Sequence, residues 1–289
     1  MYFAGRRPVR GRRDGRLVAD LPAMRRVVPH LMPTRVESTV YYRQELDVER
    51  MLAWLEEVNA DRGPGERVRF FHVFLTAWAR LYRRRPELNR FIAGRRTYEH
   101  RDITFSFTVK QELTDEGQEV QAHITFTGTE TVEEVRDKVD TVLAQARSTS
   151  TRNESDRLVD ALVRLPSPVL AGVARAVWAL DASNLMPRAL QDAIPVYASS
   201  YLVNLGSLGA DAPFHHLYQH GTASVFVAIG VIRAVPVVDE SGAVVARRQA
   251  GVVYTIDERA TDGFYLVRCS TILQEMVDDP ESLTRPVTD

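Results

Sequence analysis

Residues 69–86, RFFHVFLTAWARLYRRRP, are apolar on most helical faces for three turns before a basic run and Pro86 end them. A helix of that kind needs cover on most sides. The chain must therefore raise a broad apolar surface against it. The material for that surface is a set of alternating runs rich in β-branched and aromatic residues. STVYYRQEL (38–46) reads as a strand. ITFSFTVKQEL (103–113) and EVQAHITFTG (119–128) read as a pair across the turn Thr114–Gly117. A β-rich stretch follows residue 195, with VYASSYLVNLGSLG (196–209), TASVFVAIGVI (222–232), AVPVVDE (234–240) and AVVARRQAGVVYTID (243–257). Further helices are predicted over 48–60, 131–146 and 264–280. Strands and helices mix without strict βαβ alternation, so the expected class is α+β around a mixed or antiparallel sheet.

Bulk properties exclude several functions. The chain has 289 residues, a net charge of −1 and 45% hydrophobic residues, an ordinary globular composition. The near-zero charge gives no reason to expect nucleic acid as the main partner. A single cysteine, Cys269, rules out an internal disulfide and a cysteine-based zinc cluster, and Cys269 reads as a small buried residue of the last helix. The longest apolar run, VLAGVARAVWAL (169–180), is broken by Arg175 and is too short to span a bilayer. No leader pattern is read at the start, and a soluble, cytoplasmic protein is expected. Residues 1–21 are expected to be a basic arm. Residues 22–289 are expected to be one domain with a helical insertion at about 151–195, in which Trp178 and its Leu/Val stripe would be core.

Four motifs in order resemble the catalytic domain of the acyltransferase component of 2-oxo acid dehydrogenase complexes. They are RRRPELNRF (83–91) with TYEHRDITFSFTV (97–109), NLGSLGAD (204–211), a strand ending AIG (228–230), and DERATDG (257–263) with Asp279-Pro280 after its helix. The resemblance covers about residues 22–282. It implies a chloramphenicol-acetyltransferase-like two-layer α+β domain with a mixed sheet and flanking helices. It also implies a homotrimer, alone or within a larger assembly, with a channel between subunits. Coenzyme A, as acyl-CoA, would enter from one side and a small-molecule acceptor or acylated carrier from the other. The lipoyl and partner-binding domains of that family are not read here, so a bare core is expected.

Two positions depart from the family's pattern. Its loop reads Asp-His-Arg-x-x-Asp-Gly, and its histidine takes the proton of the attacking thiol or hydroxyl. Glu258 stands there in this chain, between Asp257 and Arg259, with Asp262 and Gly263 following. The family places a hydroxyl residue just before Asn-Leu-Gly to donate to the oxyanion, and Val203 stands there. A glutamate in water has a pKa of about 4.3, and burial moves a carboxyl toward the range a base needs. One missing oxyanion donor costs on the order of 3 kcal/mol. Ser207, Ser199 and Ser200 lie nearby in sequence as replacements.

The expected site is therefore Glu258 as base, Asp262 and Arg259 holding its loop, and Val203, Asn204, Gly206, Ser207, His215 and His216 along the channel. The other reading is a catalytically inactive scaffold or regulator. No metal is expected. His216 and His220 would share a face only on a helix, and no carboxylate or cysteine completes a site. His72, on the apolar helix, reads as a core histidine.

Overall fold

The computed structural model describes residues 12–110, 119–148, 162–194 and 196–287. The turn at 114–117, the first eleven residues and the first half of the run at 158–165 lie outside the described residues. Nine strands are described: β1 (Gly15–Leu17), β2 (Thr39–Asp47), β3 (Arg90–Ala93), β4 (Arg96–His100), β5 (Ile103–Lys110), β6 (Glu119–Phe126), β7 (Ser200–Asn204), β8 (Val225–Val238) and β9 (Val244–Asp257). The helices are α1 (Ala23–Leu31), α2 (Glu49–Val58), α3 (Phe70–Arg84), α4 (Val132–Ser148), α5 (Ser167–Ala182), α6 (Arg188–Ala193) and α7 (Gly263–Asp278).

Six strands form a mixed sheet in the order β2-β9-β8-β7-β5-β6, with β5, β7 and β8 parallel and the other neighbours antiparallel. A second, antiparallel sheet runs β1-β4-β3. Alternation along the large sheet explains its two faces. Phe105, Leu202, Val225, Val227, Val252 and Tyr254 point to one side and meet the helices in a single large core. That side receives α3, where Phe74, Trp78 and Tyr82 stack in series on Tyr254 and Phe105. The other face carries Tyr201, Phe226, Ala228 and Val253, with Val203 packed on their edge. It is covered thinly, by Leu217 and Ala212 of the segment between β7 and β8.

Some local readings change. The run at 196–209 is strand only over 200–204. A short 3₁₀ turn, Leu205–Leu208, follows, and Gly209 ends that turn with a positive φ. The runs at 222–232 and 234–240 are one strand, interrupted by an irregularity between Ile229 and Ile232. Trp178 is not core. Only Asp181 of α5 is buried, and Trp178 is half-buried with its ring stacked on His220 at 4.2 Å. The helix lies on the body rather than in it, so its apolar residues gain little cover. Its C-terminal end is held by Arg12, which pairs with Asp14 and Asp181 and lies over Phe91 and Tyr98. Cys269 is buried in α7, and burial pushes its thiol up to about 11.

Candidate active site

The loop after β9 is pinned through its backbone and through every charged side chain but one. Asp257 is fully buried and accepts three hydrogen bonds from Arg259, from Nε at 2.8 Å, Nη2 at 2.7 Å and the backbone amide at 3.2 Å. Arg259 Nη1 donates to the Met32 carbonyl at 3.1 Å. The Asp257 amide donates to the Ser224 carbonyl and the Glu258 amide to the Ser38 carbonyl, both at 2.9 Å. Asp262 caps α7 by accepting from the Tyr265 amide at 2.8 Å, and it pairs with Arg25 of α1. The exception is Glu258. Its side chain is half-buried and has no hydrogen-bond or ion-pair partner among the described residues. The nearest sequence cation, Arg259, is committed to Asp257.

A residue that sequence reasoning missed sits behind this loop. Arg35 is buried, and its guanidinium donates to three carbonyls of one segment: Tyr218 (3.0 Å), Ala223 (2.7 Å) and Gly221 (2.7 Å). Its Nε lies 3.9 Å from Asp257. Burial pulls its pKa down, and Asp257 opposes the shift. In PTRVES an arginine reads as a solvated turn residue, so the sequence carries no signal for it.

On the thin-covered face, Val203 has no polar atom to offer, and the neighbouring serines are engaged. Ser199 Oγ donates to the Asp102 carbonyl and accepts from the Thr104 amide. Ser200 Oγ donates to backbone carbonyls of Tyr201 and Val225. Ser207 is exposed and donates to the Asn204 carbonyl at 2.8 Å. Gly206 is required by contact: a Cβ there would lie 2.4 Å from the Gly230 carbonyl oxygen. The 3₁₀ turn carrying Asn204 and Ser207 thus lies directly on β8.

His215 is stacked on Phe226 at 4.0 Å, and its carbonyl accepts from Thr255. His216 stacks on His215 at 4.9 Å and is exposed. The segment is irregular rather than helical, so His216 and His220 do not share a helix face. Among the described residues no three metal-binding side chains converge, and no helix is long and apolar enough to cross a membrane.

One protomer does not bring the two halves of the expected site together. Val203 pairs with Ala228, and Ala228 with Val253, two strands across. Glu258 lies five residues beyond Val253. At strand dimensions that is roughly 17 Å along and 10 Å across, so roughly 20 Å in all. Glu258, Arg259 and Asp262 form one group; Val203, Asn204, Gly206 and Ser207 form another, with His215 and His216 on the same face as Val203.

No family model and no curated protein matches the chain by sequence. Solved structures do match. A probable dihydrolipoamide acetyltransferase from Listeria monocytogenes superposes with a TM-score of 0.59 at 14% identity, over 93% of this chain and 96% of that one. The cubic core of a pyruvate dehydrogenase multienzyme complex gives a TM-score of 0.59 at 14% identity, over 92% and 93%. The dihydrolipoamide acetyltransferase of Azotobacter vinelandii gives 0.59 at 15% identity over the same shares, and a serine, a histidine and an asparagine have roles in its catalytic mechanism. The chain has the fold of the acyltransferase cores of 2-oxo acid dehydrogenase complexes, along nearly its whole length.

Proposed function

We propose that this chain is a self-associating acyltransferase that uses an acyl-CoA and a thiol or hydroxyl acceptor, with Glu258 as its base. The Glu258 carboxylate takes the proton as the acceptor attacks the thioester carbonyl. It returns that proton to the CoA sulfur as the carbon–sulfur bond breaks. Asp262 and Arg259 hold the loop. Val203, Asn204 and Gly206 of a second copy line the opposite wall, with Ser207, His215 and His216 at its mouth. A trimer is the assembly proposed, because a gap of roughly 20 Å within one protomer leaves the two groups useful only across an interface. The observation that carries the reading is the unpartnered, half-buried Glu258 side chain on a loop otherwise pinned throughout.

A second reading, a catalytically inactive scaffold, is favoured by Val203. That side chain packs in an apolar cluster, and the serines around it are already bonded. Isothermal titration with CoA and acetyl-CoA separates the two, run on the wild type and on Glu258→Gln. Micromolar binding by both proteins, with turnover only in the wild type, is the expected result. No binding of either ligand refutes the enzyme reading and leaves the scaffold.

A further inference from the structure

We propose that Arg35 is the positioning residue of this site, fixing the Glu258 loop against the segment from His215 to Ala223. The proposal rests on the reading of Glu258 as the reacting carboxylate. Arg35 makes two connections at once. Its guanidinium gathers the carbonyls of Tyr218, Gly221 and Ala223 and faces Asp257. Its own carbonyl accepts from the Ser38 amide at 3.2 Å and from the Thr39 hydroxyl, and the Ser38 carbonyl in turn accepts the Glu258 amide. Its amide donates to Gln219 Oε1 at 3.1 Å. The residue thus ties the same two segments together through side chain and backbone.

The chemistry explains why an arginine is kept there. A buried cation costs free energy unless its donors are satisfied. Only a planar fork with five N–H donors can meet three carbonyls pointing from different directions and still present Nε to a carboxylate. Gly221 is part of the same arrangement. It sits at φ +95°, and a Cβ would lie 2.3 Å from the Val196 carbonyl oxygen, so its own carbonyl can turn inward to Arg35. His215 precedes the gathered carbonyls and His220 lies between those of Tyr218 and Gly221.

The test is hydrogen exchange by mass spectrometry on the full chain, comparing wild type, Arg35→Gln and Arg35→Lys. In Arg35→Gln, exchange is expected to rise at least tenfold together in 257–263 and in 215–223, with the strand segments 225–229 and 250–256 unchanged. Arg35→Lys keeps the charge and is expected to recover part of the protection in both loops. Loosening of 215–223 alone overturns the proposal, because Arg35 would then hold one segment without linking it to the other. A rise across 225–229 as well overturns it in favour of general destabilisation, and unchanged loops overturn it outright. If Arg35→Gln does not fold, Arg35→Lys alone decides. Loosening of both loops beyond the strands supports the link, and wild-type exchange in both refutes the need for the fork. Titration of the same proteins with acetyl-CoA stands apart: absent binding by the wild type refutes the enzyme reading and leaves the exchange result intact.

Discussion

Replacing Val203 by serine should increase acyl transfer about a hundredfold or more. In the proposed site, Val203 takes the strand position from which a hydroxyl would meet a developing oxyanion. It lies on the sheet face away from the main core, beside Tyr201, Phe226, Ala228 and Val253. One such donor contributes on the order of 3 kcal/mol, which is a factor of 10² to 10³ in rate. The substitution removes one partly buried methyl and alters another, a loss of about 1 kcal/mol in packing. The chemical gain therefore exceeds the folding cost. The new hydroxyl is also free to act, since the serines at 199, 200 and 207 are bonded to backbone carbonyls.

The assay is release of free CoA from acetyl-CoA, resolved by chromatography, with a small dithiol and a small alcohol offered as acceptors. Unfolding of the variant in urea confirms that it is folded. Because Val203 and Glu258 lie roughly 20 Å apart in one protomer, the gain must fall when the protein is diluted until the proposed assembly dissociates. A folded, ligand-binding Val203→Ser protein with wild-type turnover would falsify the placement of this residue opposite Glu258. A gain that survives in the isolated protomer would refute the two-copy site.

Four further outcomes are expected. His72 is buried and neutral: its Nδ1 accepts from the Arg69 amide, and burial lowers its pKa to about 4 from 6.5. The unfolded chain takes up that proton first, so the stabilisation is complete above pH 6.5 and is lost as pH falls toward 4. The loss reaches about 3 kcal/mol, visible in urea unfolding and reduced in His72→Gln. Arg12→Met should cost about 3 kcal/mol, because it leaves Asp14 and Asp181 without their cation; Trp178 fluorescence would report release of the end of α5. Gly206→Ala should destabilise by about 2 kcal/mol by forcing the 3₁₀ turn off the Gly230 carbonyl, read as a lowered melting temperature. Asp262→Ala should cost about 1 kcal/mol through loss of the α7 cap, measured by urea unfolding, with turnover falling further than stability.

Much of the fold was readable because the strongest signals are periodic. The apolar helix 69–86 needed a broad partner, and alternation in 103–109, 119–126 and 244–257 supplied it, so α3 against one face of a mixed sheet follows almost directly. The misreadings arose where one glycine or one contact decides. β7 stops at Asn204, where the chain tightens into a 3₁₀ turn whose Gly206 lies against the Gly230 carbonyl, and nothing in SYLVNLGSLG marks that switch. Trp178 sits in an apolar stretch that reads as interior, yet α5 is held mainly through Asp181 at its end, and that polar contact comes from Arg12, 169 residues away. The site divides the same way. DERATDG announces a loop and a loop is found there, whereas NLGSLG reads as the end of a strand run and folds as a 3₁₀ turn from Leu205. The pinning of the DERATDG loop depends on partners distant in sequence: Arg25 for Asp262, Met32 for Arg259, Ser38 for Glu258 and Arg35 for Asp257. All four belong to residues 25–38, a stretch that shows no motif of its own. Local pattern therefore identifies the loop proposed to hold the chemistry, while a segment without pattern, distant in sequence, fixes how that loop sits. In this chain the segment is committed to holding still a loop whose single unengaged charged side chain is Glu258, and a solvated turn would have no use for that degree of restraint.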